Sequence, residues 1–258
     1  QYSQEREQQT DNNAKGMPSD YVTSIAIDAA HSIWIGTDKG VAVLSLDSGQ
    51  FDLMKSQAFN EHSLPTDFVD DVFIDSSGLV WFATSQGAAY YSPLKQASRI
   101  YKPLATNSEL SGPNAYAISI NSQGDAWIAN NQGLDKIDTQ HQTAQLSPLT
   151  TANDTRLTGS IWNVKADNQD NLWISHSHGV SYLDHATQHV KHFSNAPGNP
   201  YGFPDTDFYT VNPDNKGNVW ITGYLDAGVM LFSPQKGLLK HYFNDNNNLY
   251  TSGGNFTF

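Results

Sequence analysis

The sequence predicts an all-β fold, a β-propeller built of four-stranded antiparallel blades, and three observations carry that expectation. First, a tryptophan-centred stretch recurs: Ile33-Trp34-Ile35-Gly36-Thr37-Asp38-Lys39-Gly40, then Val80 to Gly87, Ala126 to Gly133 and Leu172 to Gly179. A fifth copy opens at Val219-Trp220-Ile221-Thr222-Gly223 and reaches its glycine late, at Gly228. The tryptophans are separated by 47, 46, 46 and 47 residues. Second, the repeat openings near Met17, Leu64, Leu110, Leu157 and Phe203 keep the same period without reference to tryptophan. Third, each repeat divides into four short strand-like segments, the content of a propeller blade. One such sheet cannot bury both faces, so stacked neighbours must complete the core, and the chain reads as a single propeller segment over residues 1–258.

Taken in order, residues 1–16 are polar, with one candidate edge strand at Tyr2 to Gln8. In the first repeat a strand is expected from Val22 to Ile27, and apolar residues stand nine before each tryptophan: Ile25, Val72, Ile118, Val164 and Val211. Six before it comes an acid or amide (Asp28, Asp75, Asn121, Asp167, Asp214) and three before it His31, Gly78, Gly124, Asp170 or Gly217. An Asx residue capping its own turn, followed by a residue tolerant of positive φ, makes a tight hairpin; His31 is the outlier in that set. The second strand carries the tryptophan, with apolar neighbours on both sides as in a strand buried on both faces. A loop ending in glycine leads to a third strand, Val41 to Leu46 and its equivalents. A more polar fourth strand is read at Gln50 to Leu53, Arg99 to Tyr101, His189 to Phe193 and Leu239 to Phe243, with a weak counterpart near Ala144 to Leu149. Leu249 to Phe256 opens like a sixth repeat, and the chain is expected to be a piece of a longer propeller rather than a five-bladed ring.

Composition narrows function. Hydrophobic residues make up 38% and charged residues 16%, while Asn, Gln, Ser, Thr and aromatics are abundant, a turn-rich β profile. The net charge of −12 excludes phosphate-driven nucleic-acid binding and suits neutral or cationic ligands. There is no cysteine, hence no disulfide. No apolar run approaches the roughly 18 residues of a membrane span, so any anchor or export signal is expected outside the chain.

The pattern Leu-Pro-x-x-x-Val, then Asp-x-x-Gly-x-x-Trp-Ile-Gly-Thr, then x-x-Gly-Val resembles the two-component regulator propeller repeat, best over residues 17–41 and 64–87. The third repeat replaces Leu-Pro by Leu-Ser, and the fourth has Asp170 where the family has glycine. The resemblance implies a periplasmic sensor propeller, typically seven-bladed and often paired. Such propellers stand ahead of a membrane helix and a histidine kinase, hybrid kinase or GGDEF diguanylate cyclase output. It further implies a ligand or partner that changes how propellers pack, with the neighbouring output module or a second copy in a homodimer as macromolecular partner.

Propeller ligands are expected at the mouth of the central channel. Tyr21, Phe68, Tyr116, Trp162, Phe208 and Tyr209 lie at or near the starts of first strands, where aromatic faces could stack on sugar rings. Asp67, Asp70, Asp71, Asp205 and Asp207 could bind hydroxyl groups. The lengthened fifth-repeat loop adds Tyr224 and Asp226, a local insertion on a repeating frame. The candidate ligand set is therefore Tyr21, Phe68, Asp70, Asp71, Tyr116, Trp162, Asp207, Tyr209, Tyr224 and Asp226, facing an oligosaccharide or other small ligand. The repeat tryptophans and Asx turns read as structural. His176-Ser177-His178 places two imidazoles two apart. Without a third ligand they read as solvated histidines, and no cofactor or metal is expected. The enzymatic alternative is a propeller lyase, since the repeat is distantly similar to lyases acting on streptogramin antibiotics, or a glycosidase with two facing carboxylates. Glutamate is confined to Glu5, Glu7, Glu61 and Glu109, and no His-x-Glu pairing is present. A protein-binding scaffold is the third class.

Overall fold

The computed structural model describes residues 16–57, 63–93, 97–101, 110–138, 143–146, 160–224 and 227–243. They form five four-stranded antiparallel sheets, each a simple meander. The first sheet is β1 (Val22–Ile27), β2 (Ser32–Thr37), β3 (Gly40–Ser45) and β4 (Phe51–Met54). The second is β5 (Val69–Ile74), β6 (Val80–Thr84), β7 (Gly87–Ser92) and β8 (Ala97–Tyr101). The third is β9 (Ala115–Ile120), β10 (Ala126–Asn130), β11 (Gly133–Asp138) and β12 (Thr143–Leu146). The fourth is β13 (Ile161–Ala166), β14 (Leu172–His176), β15 (Gly179–Leu183) and β16 (Val190–Ser194). The fifth is β17 (Phe208–Pro213), β18 (Val219–Gly223), β19 (Val229–Ser233) and β20 (Gly237–Tyr242). The weakly signalled fourth strand of the third repeat is β12. Tyr2 to Gln8 and the sixth-repeat opening from residue 249 lie outside the described residues.

The first strands of successive sheets pack side by side, β1 on β5, β5 on β9, β9 on β13 and β13 on β17, which is a propeller arrangement. Between each pair of sheets lies one core cluster with the same membership. Trp34 meets Val72 and Phe82 of the second sheet, and Trp81 meets Ile118 and Ile128 of the third. Trp127 meets Val164 and Ile174, and Trp173 meets Val211 and Ile221. The close approach selects small residues two positions after the tryptophan: a methyl on Gly36 would come 3.0 Å from Val72 Cγ2. Tryptophan burial therefore depends on the following sheet. Trp34, Trp81, Trp127 and Trp173 are buried, whereas Trp220 is 37% exposed. The converse holds at the other end, where Ile25 is 61% exposed while its four equivalents are buried.

The turns follow the Asx logic. Asp28 Oδ1 accepts the Ala30 and Ser32 amides at 2.9 and 2.8 Å, and its Oδ2 accepts the Trp34 indole N–H at 2.9 Å. Asp75 repeats this for Ser77, Leu79 and Trp81. One carboxylate thus closes the hairpin and orients the ring to be buried. His31 (φ 60°) and Asp170 (φ 63°) adopt the left-handed conformation that glycine holds in the other three turns. At the other end of the sheets Gly40, with φ 117°, closes the β2–β3 turn; a side chain there would meet the Met54 carbonyl.

First strands are sheet edges, so their outward amides need partners. The preceding sheet supplies them: Ser24 Oγ accepts from Val72 N (3.1 Å), Asp71 Oδ2 from Ile118 N (3.2 Å) and Asn163 Oδ1 from Val211 N (3.4 Å). These residues stand ten before their tryptophans. In the third sheet Ala117 occupies that position, and Ser119 Oγ, two residues on, accepts from Ala166 N at 2.8 Å.

Trp81→Ala is expected to lower the unfolding free energy by about 3–5 kcal/mol, the cost of emptying a large aromatic site. Trp220→Ala is expected to lose less than about 1.5 kcal/mol. Urea unfolding measures both, and equal losses would contradict burial by the following sheet.

Candidate functional site: the bulge row

Every first strand carries one register irregularity near its start, and in each case one residue is left out of the pairing with the second strand. The skipped residues are Thr23, Asp70, Tyr116, Trp162 and Tyr209. Each stands eleven residues before its repeat tryptophan. A bulge inserts an extra residue, bends the strand and re-aims a side chain. One residue per sheet is thereby presented at the same end of neighbouring first strands, the mouth end opposite the Asx turns.

On three adjacent sheets the bulge residue is aromatic, and the rings touch in sequence. The Tyr116 and Trp162 centroids are 5.1 Å apart, Trp162 and Tyr209 are 5.3 Å apart edge-to-face, and Tyr209 and Tyr224 are 5.4 Å apart edge-to-face. Four predicted site residues therefore form one continuous row. Tyr224 belongs to the lengthened fifth-repeat loop and is held by its amide, which donates to the Asp207 carbonyl at 2.8 Å. The Trp162 indole N–H is buried without an acceptor among the described residues. Burial, then the neighbouring Tyr224 and Asp207, raise the Tyr209 phenol above its ordinary pKa. Beside Tyr224 an open cleft of about 550 Å³ is lined by Pro204, Asp205, Thr206, Ala227, His241 and Phe243.

The two acidic candidates on β5 separate. Asp71 is engaged by the fold: Oδ1 accepts from Ser24 Oγ at 2.8 Å, Oδ2 from Ile118 N at 3.2 Å, and Lys165 Nζ lies 3.5 Å from Oδ2. Asp70, at the bulge, has no hydrogen bond or ion pair among the described residues. Burial, reinforced by the Asp71 charge, pushes its carboxyl up to about 7. Thr23 Oγ1 donates to the Val69 carbonyl at 2.6 Å.

Several sequence expectations need correction. Tyr21 and Phe68 are exposed (48% and 38%) but precede β1 and β5, two residues before the bulge, so they are not equivalents of Tyr116, Trp162 and Tyr209. Thr23, the true equivalent in the first sheet, is missed because a lone threonine carries no signal until the register is known. Phe208 is fully buried against Phe203, 5.0 Å between centroids, and belongs to the core. Asp207 contributes its carbonyl to hold Tyr224; Asp226 lies outside the described residues.

The histidine expectation also changes. His176 is 2% exposed, not solvated, and His192 from the outer strand joins it. His176 Nδ1 accepts the His178 amide at 3.2 Å, so the neutral ring carries its proton on Nε2 and donates to Ser181 Oγ at 2.7 Å. Ser181 in turn donates to His192 Nδ1 at 2.7 Å. A nitrogen that donates has no lone pair for a metal, and among the described residues no three His, Cys, Asp or Glu side chains converge. The third sheet places a related buried network at the same position, where Asp135 Oδ2 accepts from Ser111 N and Asn130 Nδ2, both at 2.8 Å.

Comparison with known proteins agrees with this architecture. Residues 16–39 match the model of the family described as two component regulator propeller, so the chain carries that repeat. No curated protein matches the chain in sequence. Among solved structures it is similar to the extracellular domain of the B. thetaiotaomicron protein BT3049, described as a hybrid two component system. That match has 22% identity and a TM-score of 0.70, covering 88% of this chain and 31% of that one. It is similar to the extracellular domain of BT4673 from the same organism, at 19% identity and a TM-score of 0.51, covering 85% and 37%. It is also similar to virginiamycin B lyase from Staphylococcus aureus, at 16% identity and a TM-score of 0.64, covering 88% and 71%. The chain thus spans about a third of the length of each of the two matched extracellular domains.

The Asp70 carboxyl has a signed consequence for stability. Its folded pKa, raised to about 7, lies above the unfolded value near 4, so the folded state binds the proton more tightly in between. Stability is expected to fall as pH rises from about 4 to about 7, and Asp70→Asn to flatten that segment while raising the melting temperature above pH 7. Thermal melts across this range test it, and an unchanged slope in the variant would contradict the assignment.

Proposed function

We propose that this chain is a ligand-recognition segment of an extracytoplasmic sensor, with the ligand held at the bulge row and no covalent chemistry performed. The observation that carries the reading is the unbroken row of Tyr116, Trp162 and Tyr209, at equivalent positions of three consecutive sheets, continued by Tyr224 of the lengthened loop. Packing alone asks for a ring between sheets, and each repeat already has one in its tryptophan. A second set of rings at the mouth, present in three sheets and replaced by Thr23 and Asp70 in the other two, follows recognition rather than repetition. Aromatic faces of this kind stack on sugar rings, and an oligosaccharide is the ligand class proposed.

The five sheets are counted as five blades beginning near residues 17, 64, 110, 157 and 203, within one propeller segment. The matched repeat and the likeness to extracellular domains of hybrid two component systems support a periplasmic sensor. Its output would be a two-component kinase or a diguanylate cyclase. Ligand occupancy would change how the propeller packs against a neighbouring propeller, an output module or a second copy. A glycosidase would need two free carboxylates across a cleft. Asp71 has both oxygens engaged by the fold, so it does not supply one of them.

Calorimetric titration with neutral hexasaccharides tests the reading. Trp162→Ala and Tyr209→Ala are expected to weaken binding at least about tenfold each, in line with the loss of a stacked ring. Unchanged affinity in both variants would overturn it, and catalytic turnover of a bound saccharide would overturn the non-enzymatic part.

A further inference from the structure

The bulge row is not uniform along its length. Thr23 is bonded to the neighbouring strand, and Tyr116, Trp162 and Tyr209 are held by one another. Asp70 is half-buried, yet its carboxyl has no hydrogen bond or ion pair among the described residues. Withdrawing a carboxylate without a donor or a counter-charge is costly, and proteins seldom do it without a use.

The surroundings of Asp70 sharpen what that use is. The strands packed against β5 are β1, β2, β6 and β9. Their side chains include no charged group, and the one titratable residue among them is Tyr116. On its own strand stands Asp71, and in the loop before it Asp67, whose Oδ1 accepts the Ser56 amide at 2.6 Å. The cation that comes near, Lys165 from β13, lies against Asp71 Oδ2 at 3.5 Å and over the Phe73 ring at 5.7 Å. Each neighbouring charge is therefore committed except that of Asp70, in a chain of net charge −12. The strand beside it begins the aromatic row, and ring faces attract cations.

We propose that Asp70 receives an ammonium group of the ligand, so that the row selects an oligosaccharide bearing free amino groups over its neutral or N-acetylated counterpart. This rests on the reading of the row as a saccharide platform. Tyr116, Trp162 and Tyr209 supply stacking that is indifferent to charge, and Asp70 supplies the discrimination at the acidic end. A bound ammonium restores the counter-charge the fold leaves out and draws the carboxyl, otherwise held up to about 7, back to its ionised form.

The test is calorimetry at pH about 7 with three hexasaccharides of matched length: hexaglucosamine, its fully N-acetylated form and cellohexaose. Hexaglucosamine is expected to bind the wild-type chain at least about tenfold more tightly than either neutral sugar, as a charge-assisted contact implies. Asp70→Asn is expected to abolish the preference, bringing the three affinities within about twofold of each other. Equal wild-type affinities, or a preference that survives Asp70→Asn, would overturn the role of Asp70 and leave the saccharide platform standing. Binding of none of the three would overturn the platform, and this inference with it.

Discussion

Everything in this architecture depends on one burial that no sheet can achieve alone. A tryptophan on the second strand leaves water only when the first strand of the next sheet lies across it, and the five repeats perform this to different extents. Four rings are covered, and Trp220, with no following sheet among the described residues, stays partly in solvent. Other features follow from bringing two sheets that close. The residue two after the tryptophan must be small, as at Gly36, where the opposing Val72 leaves no room. In the first two sheets the Asx turn holds the indole as well as the hairpin, through Asp28 and Asp75. The first strands, left without a ladder on their inner side, receive donors and acceptors from the side chains of their neighbours.

The bulge is the second consequence, and it links the fold to the mouth. A first strand that paired regularly to its end would alternate its side chains strictly between the two sheet faces. Skipping one residue breaks that alternation and re-aims one side chain. The frame then offers five equivalent places, and each repeat fills its own: threonine, aspartate, tyrosine, tryptophan, tyrosine. Architecture repeats in the tryptophans, and individuality collects at the bulges, in the lengthened loop of Tyr224, and in the buried networks of Asn130–Asp135 and His176–Ser181–His192.

Much of this was legible before any coordinates. Period, strand order, Asx turns and the inter-sheet role of tryptophan are written in spacing, because each depends on a residue type recurring in phase. His31 and Asp170 could be flagged from their place in the turn alone, since the left-handed position is fixed by the hairpin and not by the residue occupying it. Pairing register was not legible. A one-residue slip sends a side chain to a different face, so Tyr21 and Phe68 looked like partners of Tyr116, while Thr23 did not look like anything. Asp70 and Asp71 are adjacent and chemically identical in sequence, and only the position of the bulge separates a structural carboxylate from an unpartnered one. Burial of His176 was hidden for a similar reason: its partners Ser181 and His192 come from two other strands.

The most direct measurement is a crystal structure of the protein soaked with hexaglucosamine. Density for sugar rings lying along Tyr116, Trp162 and Tyr209, with an amino nitrogen within about 3 Å of an Asp70 oxygen, is the predicted result. Sugar bound instead in the cleft lined by Pro204, His241 and Phe243, or at the Asx-turn end of the sheets, would contradict the assignment of recognition to the bulge row.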